Sequence, residues 1–389
     1  MQNFVFYNPT KIIFGKNTAS SIGSETASWG KKGLLIFGRE SIKESGLYNQ
    51  VKDSLIQAGV ELVEHGGVQS NPLLSHVREG ILLAKQHGVE VVIAVGGGSV
   101  LDSAKAICAG SVVEHDVWKF FIGRKSIKNT LPLTTVLTLA AAGSEMNSGM
   151  VITNDATKEK FGFGNQLLHP KTSILDPELT FTVPLNYTAY GAVDAIAHVL
   201  EFYMTTCDPD TPVQDRIMEG LIINAMEACE RCLINPRDYN ARANLMWTAT
   251  LALNGLTAAG LGKVGFPMHM IEHSLSALYN VPHGAGLSVV MPGWLRWYSN
   301  QNPERISQLG QKVFLTTETD TYSKKEMVDR TIIFLQNWFT RINSPTTLEE
   351  LEIPAGDIPV IADNALALAK IWRLHEYSQE TIEEILHLC

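Results

Sequence analysis

Five side chains that could bind a metal ion lie in the second half of the chain, and four of them form two pairs at helical spacing. Asp194 and His198 stand four residues apart, and His269 and His273 repeat that spacing. A separation of four residues puts two side chains on one face of a helix, one turn apart. His283 follows ten residues later, beyond a turn-like Tyr-Asn-Val-Pro. Imidazoles with a carboxylate suit iron or zinc better than calcium or magnesium, so the sequence predicts a transition-metal site built on helices.

Such a site would act as a Lewis acid. Asp194 with three neutral imidazoles leaves a divalent ion with net positive charge and with room for an oxygen atom of a substrate. A bound carbonyl group would be polarised and an alkoxide stabilised. A lone histidine is more often an ordinary core or surface residue, but two helical pairs of ligand-type residues are a stronger signal. Combined with a nicotinamide, this equipment suits hydride transfer between an alcohol and an aldehyde.

A glycine loop supplies a candidate site for the nicotinamide cofactor. Gly96-Gly-Gly-Ser99 follows an apolar run and precedes a helical pattern. Glycines let the backbone approach an anion closely, and the free amides at a helix start point towards it, as a pyrophosphate requires. The loop matches neither the Rossmann G-x-G-x-x-G nor the P-loop pattern. Taken alone, a tight strand-to-helix turn capped by Ser99 explains it equally well.

The segment after an earlier predicted strand bears on which nicotinamide is used. Gly38, Arg39, Glu40 and Ser41 stand where the adenosine ribose of a dinucleotide usually lies in such folds. Arg39 and Ser41 could hold a 2′-phosphate, which favours NADP(H), with NAD(H) as the alternative. The Glu40 carboxylate could instead accept a hydrogen bond from a free ribose hydroxyl or pair with a surface lysine. Lys160 is a further candidate for a phosphate contact, although an exposed lysine without such a role is the commoner outcome.

The first half of the chain predicts alternating strands and helices. Residues 4–7 and 11–14 predict two short strands joined by a turn, and residues 150–153 with 160–163 predict a hairpin. Further apolar runs predict strands at residues 33–37, 61–64, 89–95, 134–139 and 173–177. Strands that alternate with helices indicate a parallel sheet with helices on both faces and with its chemistry at the carboxyl ends of the strands.

Beyond residue 185 the patterns are helical. Helices are predicted at residues 192–204, 213–233, 241–259, 268–278, 303–314, 325–342, 360–370 and 379–388. The predicted fold is therefore an α/β dinucleotide-binding domain with a Rossmann-like parallel sheet at residues 1–185. An all-α metal-binding and substrate domain at residues 186–389 follows it.

Composition narrows the classes of partner. The net charge of −9 over 389 residues argues against a nucleic-acid surface, and no stretch approaches the roughly 20 apolar residues that span a bilayer. The first residues lack the pattern of a signal peptide. Five scattered cysteines fit reduced thiols in a cytosolic protein. We therefore expect a cytoplasmic protein whose partners are small molecules and other subunits.

Together these motifs resemble the iron-containing, group III alcohol dehydrogenases, and the resemblance runs through essentially the whole chain. It is strongest towards the NADPH-dependent aldehyde reductases and butanol dehydrogenases of bacteria. It implies a cytoplasmic homodimer that interconverts aldehydes and short- to medium-chain primary alcohols such as butanol. The resemblance rests on Gly96-Gly-Gly-Ser-Val-Leu-Asp-Ser-Ala-Lys105, Gly143-Ser-Glu145, Asp194-x3-His198 and His269-Met-Ile-Glu-His273-x9-His283-Gly284.

The resemblance also implies a role for each candidate ligand. Asp194, His198, His269 and His283 would hold one divalent metal, Fe²⁺ or Zn²⁺. His273 would lie beside the nicotinamide and help to relay the alcohol proton, without binding the metal.

The cofactor contacts that the resemblance implies lie in the first half of the chain. Gly97, Gly98 and Ser99 of the glycine loop would bind the pyrophosphate. Asp102 would lie near the nicotinamide, and Asn71 near the adenosine. The full set of predicted contacts is Gly38, Arg39, Ser41, Asn71, Gly97, Gly98, Ser99, Asp102, Thr138, Ser144 and Lys160. Two segments depart from the close relatives, which carry Gly-Gly-Gly-Ser at residues 38–41, where this chain has Gly-Arg-Glu-Ser, and often a threonine where this chain has Ala142.

Other enzymes share this fold and these ligand types. They include NAD-dependent glycerol- or diol-type dehydrogenases and the lyase that makes dehydroquinate. That lyase needs several cationic residues for its phosphorylated acid substrate, whereas residues 193–204 and 261–278 contain one lysine, Lys263. A neutral substrate is therefore favoured. A non-catalytic nucleotide- or metal-binding protein would have no use for His273 beside the metal.

Overall fold

A six-stranded parallel sheet forms the centre of the first half of the molecule. The computed structural model describes residues 1–208, 210–314 and 322–389. The strands are β1 Lys11–Phe14, β2 Lys32–Phe37, β3 Glu61–His65, β4 Val91–Gly96, β5 Leu133–Leu137, β6 Gly149–Asn154, β7 Glu159–Gly164 and β8 Thr172–Leu175. The sheet has the order β1-β8-β5-β4-β2-β3, and β6 pairs with β7 as an antiparallel hairpin. The predicted parallel sheet and hairpin are confirmed.

The strand order brings the predicted cofactor loops together. Strand β2 pairs with β3 on one side and with β4 on the other, and the chain then continues from β4 to β5. In this register Phe37 pairs with Val95, and Gly96 pairs with Leu137. The loops after β2, β4 and β5 therefore leave neighbouring strand ends. Because β3 and β4 lie on opposite sides of β2, the direction in which the chain adds strands reverses there. Open α/β sheets usually bind ligands at such a switch point.

Helices cover this sheet and bury its apolar side chains. In α3, Leu47, Val51 and Leu55 recur every four residues, so one stripe of the helix is buried. This stripe belongs to a core that includes Leu35 and Ile93 of the sheet. The helices of this half are α1 Ile22–Ala27, α2 Ser41–Glu44, α3 Leu47–Gln57, α4 Leu74–His87, α5 Gly98–Gly110 and α6 Trp118–Phe121.

The chain after Pro184 is helical in the residues described, as predicted. Its helices are α7 Leu185–Thr205, α8 Pro212–Ile234, α9 Tyr239–Ala252, α10 Pro267–Tyr279, α11 His283–Tyr298, α12 Pro303–Leu309, α13 Lys324–Arg341, α14 Ile358–Trp372 and α15 Gln379–Leu386. A π-helical turn, Gly310–Phe314, continues α12. No helix in the described residues is both long enough and apolar enough to cross a membrane.

Three local predictions were wrong. Residues 4–7 form no strand, because β1 finds its neighbour in β8 instead of in the preceding segment. Helix α9 ends at Ala252 and not at residue 259. Helix α11 was not predicted, because it contains Pro292 and several glycines, which disfavour helices. One of these glycines is required for packing, since a Cβ atom on Gly284 would stand 2.2 Å from the backbone oxygen of Tyr190 in α7.

The chain folds as two compact units. One contains residues 7–183 and 236–250, and the other contains residues 1–6, 184–235 and 251–389. The first break falls between Val183 and Pro184, close to the predicted boundary at residue 185. In addition, residues 236–250 pack with the sheet-containing unit, which we call the sheet unit; the other is the helical unit. None of the five cysteines forms a disulfide bond in the described part of the chain.

Candidate functional site

The helical unit brings four of the predicted ligands into one cluster. Asp194 and His198 lie on α7, His269 lies on α10, and His283 begins α11. Asp194 Oδ1 stands 3.5 Å from each of three ring nitrogens, His198 Nδ1, His269 Nε2 and His283 Nε2. We call these four residues the ligand cluster.

The geometry of the ligand cluster fits a divalent ion. Metal–nitrogen distances of about 2.1 Å in a tetrahedral site correspond to ligand–ligand distances of about 3.4 Å, close to those of this cluster. Asp194 Oδ1, His198 Nδ1 and His269 Nε2 are buried and have no hydrogen-bond partner. Buried polar atoms are almost always paired, so three converging unpaired atoms indicate a place for a cation. One carboxylate and three imidazoles suit iron or zinc.

The charges of the cluster shift the pKa values of its members. Burial alone raises the pKa of Asp194, but the three surrounding histidines outweigh it and hold the pKa well below its usual range. Burial lowers the pKa of His198 to about 3. For His269, burial lowers the pKa, but the carboxylates of Glu201 and Asp194 outweigh it and raise the pKa to about 10. Without a metal, His198 is therefore neutral and His269 carries a proton at neutral pH.

Two buried glutamates, which the sequence did not reveal as part of the site, bond to histidines of the ligand cluster. They lie on the side of each ring that faces away from Asp194. Glu201 on α7 accepts a hydrogen bond from Nδ1 of His269, and Glu272 on α10 accepts one from Nδ1 of His283. Both glutamates have no solvent-exposed surface. A signal was present in the sequence, since Glu201 follows His198 by three residues and lies on the same helical face.

His273, the predicted proton relay, is buried beside the ligand cluster. Its ring centroid lies 6.2 Å from that of His269 and 5.6 Å from that of His283. Ligand-type atoms of Glu272, His273 and His283 also lie within 4.8 Å of one another. This is not a second metal site, because Glu272 already accepts a hydrogen bond from His283, whose other ring nitrogen faces Asp194.

Aromatic side chains of the helical unit adjoin the cluster. The Phe266 ring lies 5.6 Å from that of His269, and the Trp372 ring lies 5.6 Å from that of His273. The two aromatic rings lie 6.3 Å apart. Both side chains are only partly buried, unlike the fully buried Trp294 of the core. They therefore form an apolar wall beside the cluster.

The glycine loop of the sheet unit has the close packing that a phosphate loop needs. Gly97 precedes α5, and Gly98 is its first residue. A Cβ atom on Gly97 would stand 3.2 Å from Leu139, and one on Gly98 would stand 3.1 Å from Ala142. The amide of Thr138, after β5, donates to the carbonyl of Gly96 at 3.0 Å. Ser99 lies in the first turn of α5, so the predicted pyrophosphate residues lie at one helix start.

Two pairs among the predicted cofactor contacts are bonded to each other. Ser144 Oγ donates to Asp102 Oδ1 at 2.6 Å, and the Val151 amide donates to Asp102 Oδ2 at 2.9 Å. Lys160 Nζ donates to Asn71 Oδ1 at 3.0 Å, and both side chains are buried. Each pair is thus held in place within the sheet unit, and its contact with a cofactor stays a prediction.

The segment after β2 is exposed. The Gly38 carbonyl accepts from the Gly67 amide at 2.9 Å, whereas Arg39, Glu40 and Ser41 lie at the surface. Glu40 forms an exposed ion pair with Lys43 at 3.3 Å. The lysine partner that the sequence analysis considered for Glu40 is therefore present.

Together, a parallel sheet with glycine loops at its switch point and a buried cluster of three histidines and one aspartate define a metal-dependent nicotinamide oxidoreductase. Family models give the particular class. The model "Iron-containing alcohol dehydrogenase" matches residues 9–177, and "Fe-containing alcohol dehydrogenase family, C-terminal" matches residues 188–389. The chain belongs to the iron-containing alcohol dehydrogenase family. It is an oxidoreductase that acts on CH–OH groups, and its cofactors are NAD(P)H and an iron-type metal.

Relatives match over nearly the whole chain. The probable NADH-dependent butanol dehydrogenase 1 of Bacillus subtilis is 41% identical over 99% of both chains. The NADPH-dependent aldehyde reductase YqhD of Escherichia coli is 34% identical over 93% of this chain and 92% of the relative. The crystal structure of NADH-dependent butanol dehydrogenase A from Thermotoga maritima superposes with a TM-score of 0.95 at 44% identity, covering 100% of this chain and 98% of that one.

Proposed function

We propose that this protein reduces short- to medium-chain aldehydes to primary alcohols, and oxidises those alcohols, by hydride transfer with a nicotinamide. The observation that carries the proposal is the ligand cluster, in which three buried atoms converge without partners. The relatives from Bacillus and Thermotoga are named butanol dehydrogenases, and the one from Escherichia coli an aldehyde reductase. Their names favour a small aliphatic substrate.

Each residue of the cluster has a distinct part in this proposal. Asp194, His198, His269 and His283 would hold a divalent ion, which supplies a Lewis acid for the alcohol or aldehyde oxygen. The ring centroids of His273 and His269 are 6.2 Å apart, yet His273 is not one of the four converging ligands. In this proposal its imidazole acts on the substrate proton instead of binding the metal. Its imidazole would accept that proton as the alcohol is oxidised and return it as the aldehyde is reduced.

The apolar wall of Phe266 and Trp372 supports a neutral aliphatic substrate. Trp372 contacts the ring of His273, and Phe266 contacts that of His269, so the wall adjoins both the relay and a ligand. Lys263, the one lysine in the neighbouring stretch, is exposed. An apolar wall suits an aliphatic chain better than a phosphorylated or carboxylated group, which would lose its hydration there.

For the nucleotide we infer a preference for NADPH. Arg39 and Ser41 are exposed after the carboxyl end of β2, at the switch point of the sheet, where a 2′-phosphate could reach them. The carboxylate of Glu40, which would favour a free ribose hydroxyl, pairs with Lys43. NADH is the second candidate, because the relatives from Bacillus and Thermotoga are named NADH-dependent.

The experiment is a nicotinamide absorbance assay on protein loaded separately with Fe²⁺ or Zn²⁺. Butanal, hexanal and 3-hydroxypropanal are each tested with NADPH and with NADH; the last represents the 1,3-propanediol dehydrogenases that are 29% identical to this chain. We expect the highest kcat/KM with butanal or hexanal and NADPH. No turnover of any aldehyde with either nucleotide would refute the activity.

A variant separates the nucleotide preference from the activity. Arg39→Gln should lower kcat/KM with NADPH and leave the value with NADH unchanged, because only NADPH carries the 2′-phosphate. Equal effects on both nucleotides would refute the role of Arg39 and leave the alcohol dehydrogenase activity standing.

The assembly and location of the protein are also part of the proposal. We infer a homodimer in the cytoplasm, as the resemblance to the family implies. Light scattering on the purified protein tests the assembly, and a mass of one chain would refute the homodimer.

A further inference from the structure

We propose that Glu201 and Glu272 are positioning residues that fix the ring orientation of two metal-ligating histidines, and the tautomer of the neutral rings to which a metal binds. The inference rests on the metal part of the proposed function and not on its substrate. Neither glutamate points into the ligand cluster as a ligand. Each acts through a histidine, Glu201 through His269 and Glu272 through His283.

Glu201 ties together the two helices that supply three of the ligands. It lies on α7, and one of its oxygens accepts from the amides of Met268 and His269 at the start of α10, at 2.5 and 3.1 Å. These amides are among those that a helix start leaves unpaired. No side chain from α10's own N-cap residue, Phe266, satisfies them. The other carboxylate oxygen accepts from the His269 ring, so one buried side chain sets both the start of α10 and the direction of its ligand.

Glu272 makes the corresponding link between α10 and α11. One of its oxygens accepts from the His283 ring, and the other accepts from Ser276 Oγ at 2.5 Å. Ser276 is also within hydrogen-bond distance of the Val281 carbonyl, at 3.0 Å, in the turn before α11. Room for the glutamate depends on Gly286, where a Cβ atom would stand 2.7 Å from Glu272 Cγ.

These bonds decide which ring nitrogen is available to a metal. An ionised carboxylate can only accept, so Nδ1 of His269 and of His283 must carry hydrogen. In each ring the lone pair of the neutral form is then on Nε2, the atom that faces Asp194. Carboxylates behind ligating histidines commonly fix the tautomer and raise ligand basicity, and their loss typically weakens metal binding 10- to 100-fold.

The test compares metal binding by Glu201→Gln, Glu272→Gln and a matched control, Glu219→Gln. Glutamine keeps the shape but can present a donor to Nδ1 and so favour the wrong tautomer. Glu219 is a buried glutamate of the same unit that accepts from the Tyr203 hydroxyl at 3.0 Å and pairs with Arg216, and neither of these partners belongs to the ligand cluster. Affinity for Zn²⁺ and Co²⁺ is measured by competition with a chromogenic chelator, and the visible spectrum of the Co²⁺ form reports the geometry of the site.

We expect both test variants to bind Zn²⁺ and Co²⁺ about 10- to 100-fold more weakly than the parent and to alter the Co²⁺ spectrum, whereas Glu219→Gln does neither. Parent-like affinity and spectrum in Glu272→Gln would overturn the inference, as would equal weakening by Glu219→Gln. Because Glu201 also binds the start of α10, its variant could fail to fold, and Glu272→Gln then decides alone. A parent protein that binds neither ion would refute the proposed metal site itself, a different outcome from unchanged variants.

Discussion

Two buried clusters of ionisable groups, one in each unit, differ in how their polar atoms are paired. In the sheet unit, Lys105 Nζ donates to three oxygens, those of the Asn147 carbonyl, the Asn147 side chain and the Gly149 carbonyl, at 2.8–2.9 Å. Nearby, each oxygen of Asp102 accepts a hydrogen bond. In the ligand cluster of the helical unit, by contrast, one carboxylate oxygen and two ring nitrogens have no partner.

This is the difference that we expect between a cluster that stabilises the fold and one that binds an ion. Burial lowers the pKa of Lys105 to about 8 and raises the pKa of Asp102. The Lys105 amine and both Asp102 oxygens nevertheless have hydrogen-bond partners within the sheet unit. The ligand cluster leaves atoms unpaired in a buried place, which costs free energy until a cation binds. Perturbed pKa values alone do not tell the two clusters apart, whereas the unpaired atoms do.

Removing a predicted metal ligand and the predicted proton relay in separate variants should have the largest effects. We expect His269→Ala to weaken Zn²⁺ binding by more than about 100-fold, beyond the usual cost of losing an outer partner, and to abolish turnover. We expect His273→Ala to retain the metal and to lose about 10²- to 10⁴-fold in kcat, the typical contribution of a general acid–base group. Metal content and butanal reduction are measured on the same samples. Loss of metal from His273→Ala would reverse the two assignments.

Removing the lysine of the paired cluster should damage the fold and not metal binding. Lys105→Met removes a donor from three oxygens, of which Asn147 Oδ1 keeps the Gly149 amide, and it removes the cation beside Asp102. We therefore expect the free energy of unfolding to fall by about 2–4 kcal/mol. Lys125→Met, at an exposed position, is the control. Urea unfolding gives the free energies, and chelator competition gives the affinity for Zn²⁺. Unchanged stability of Lys105→Met would show that the paired cluster does not support the fold.

Metal should stabilise the protein through the ligand cluster alone. At a free Zn²⁺ concentration 100 times the dissociation constant, linkage predicts a gain of about 2.7 kcal/mol. Thermal unfolding of chelator-treated protein, with and without added Zn²⁺, measures this gain as a rise in Tm. The same addition should leave the Tm of Asp194→Asn unchanged. An equal rise in that variant would mean that the ion binds elsewhere.

The smallest expected effect is that of pH on metal affinity. Without metal, His269 has a pKa of about 10 and His198 a pKa of about 3, so at neutral pH a metal must displace a proton from His269 but none from His198. Affinity should therefore rise about tenfold per pH unit between about pH 6.5 and 8. The raised pKa of His269 also stabilises the metal-free fold below about pH 6.5, and this contribution is lost as the pH rises through 10. Calorimetry in buffers of different ionisation enthalpy counts the protons released; affinity independent of pH would contradict the assignment.

Much of the ligand cluster could be predicted from spacing because helices are regular. Asp194 and His198 share a helical face at a separation of four residues, and β4 was visible as an apolar run before its glycine loop. Glu201 and Glu272 were not predicted, because glutamates are common in helices. Only the structure shows that they bond to the rings of His269 and His283. The family resemblance, and not the spacing, separated His273 from the four ligands.

The remaining errors came from contacts between distant parts of the chain. Residues 4–7 alternate like a strand, but only a neighbouring strand makes such a segment part of a sheet, and β1 pairs elsewhere. Likewise, no pattern shows that Ser144 would bond to Asp102, since 42 residues separate them. Local periodicity predicts elements, whereas the partners of those elements depend on topology.

Helix α11, which starts at His283, has a consequence for the order in which the molecule assembles. With Gly284, Gly286, Pro292 and Gly293 in its sequence, this segment has little tendency to be helical alone and must draw its stability from the helices against which its glycines pack. We therefore expect α11 to form late in folding, so that its histidine is the last of the four to arrive. Pulsed hydrogen exchange during refolding would test this order, and early protection of α11 would contradict it. All four groups can then bind the ion only after the helical unit has folded.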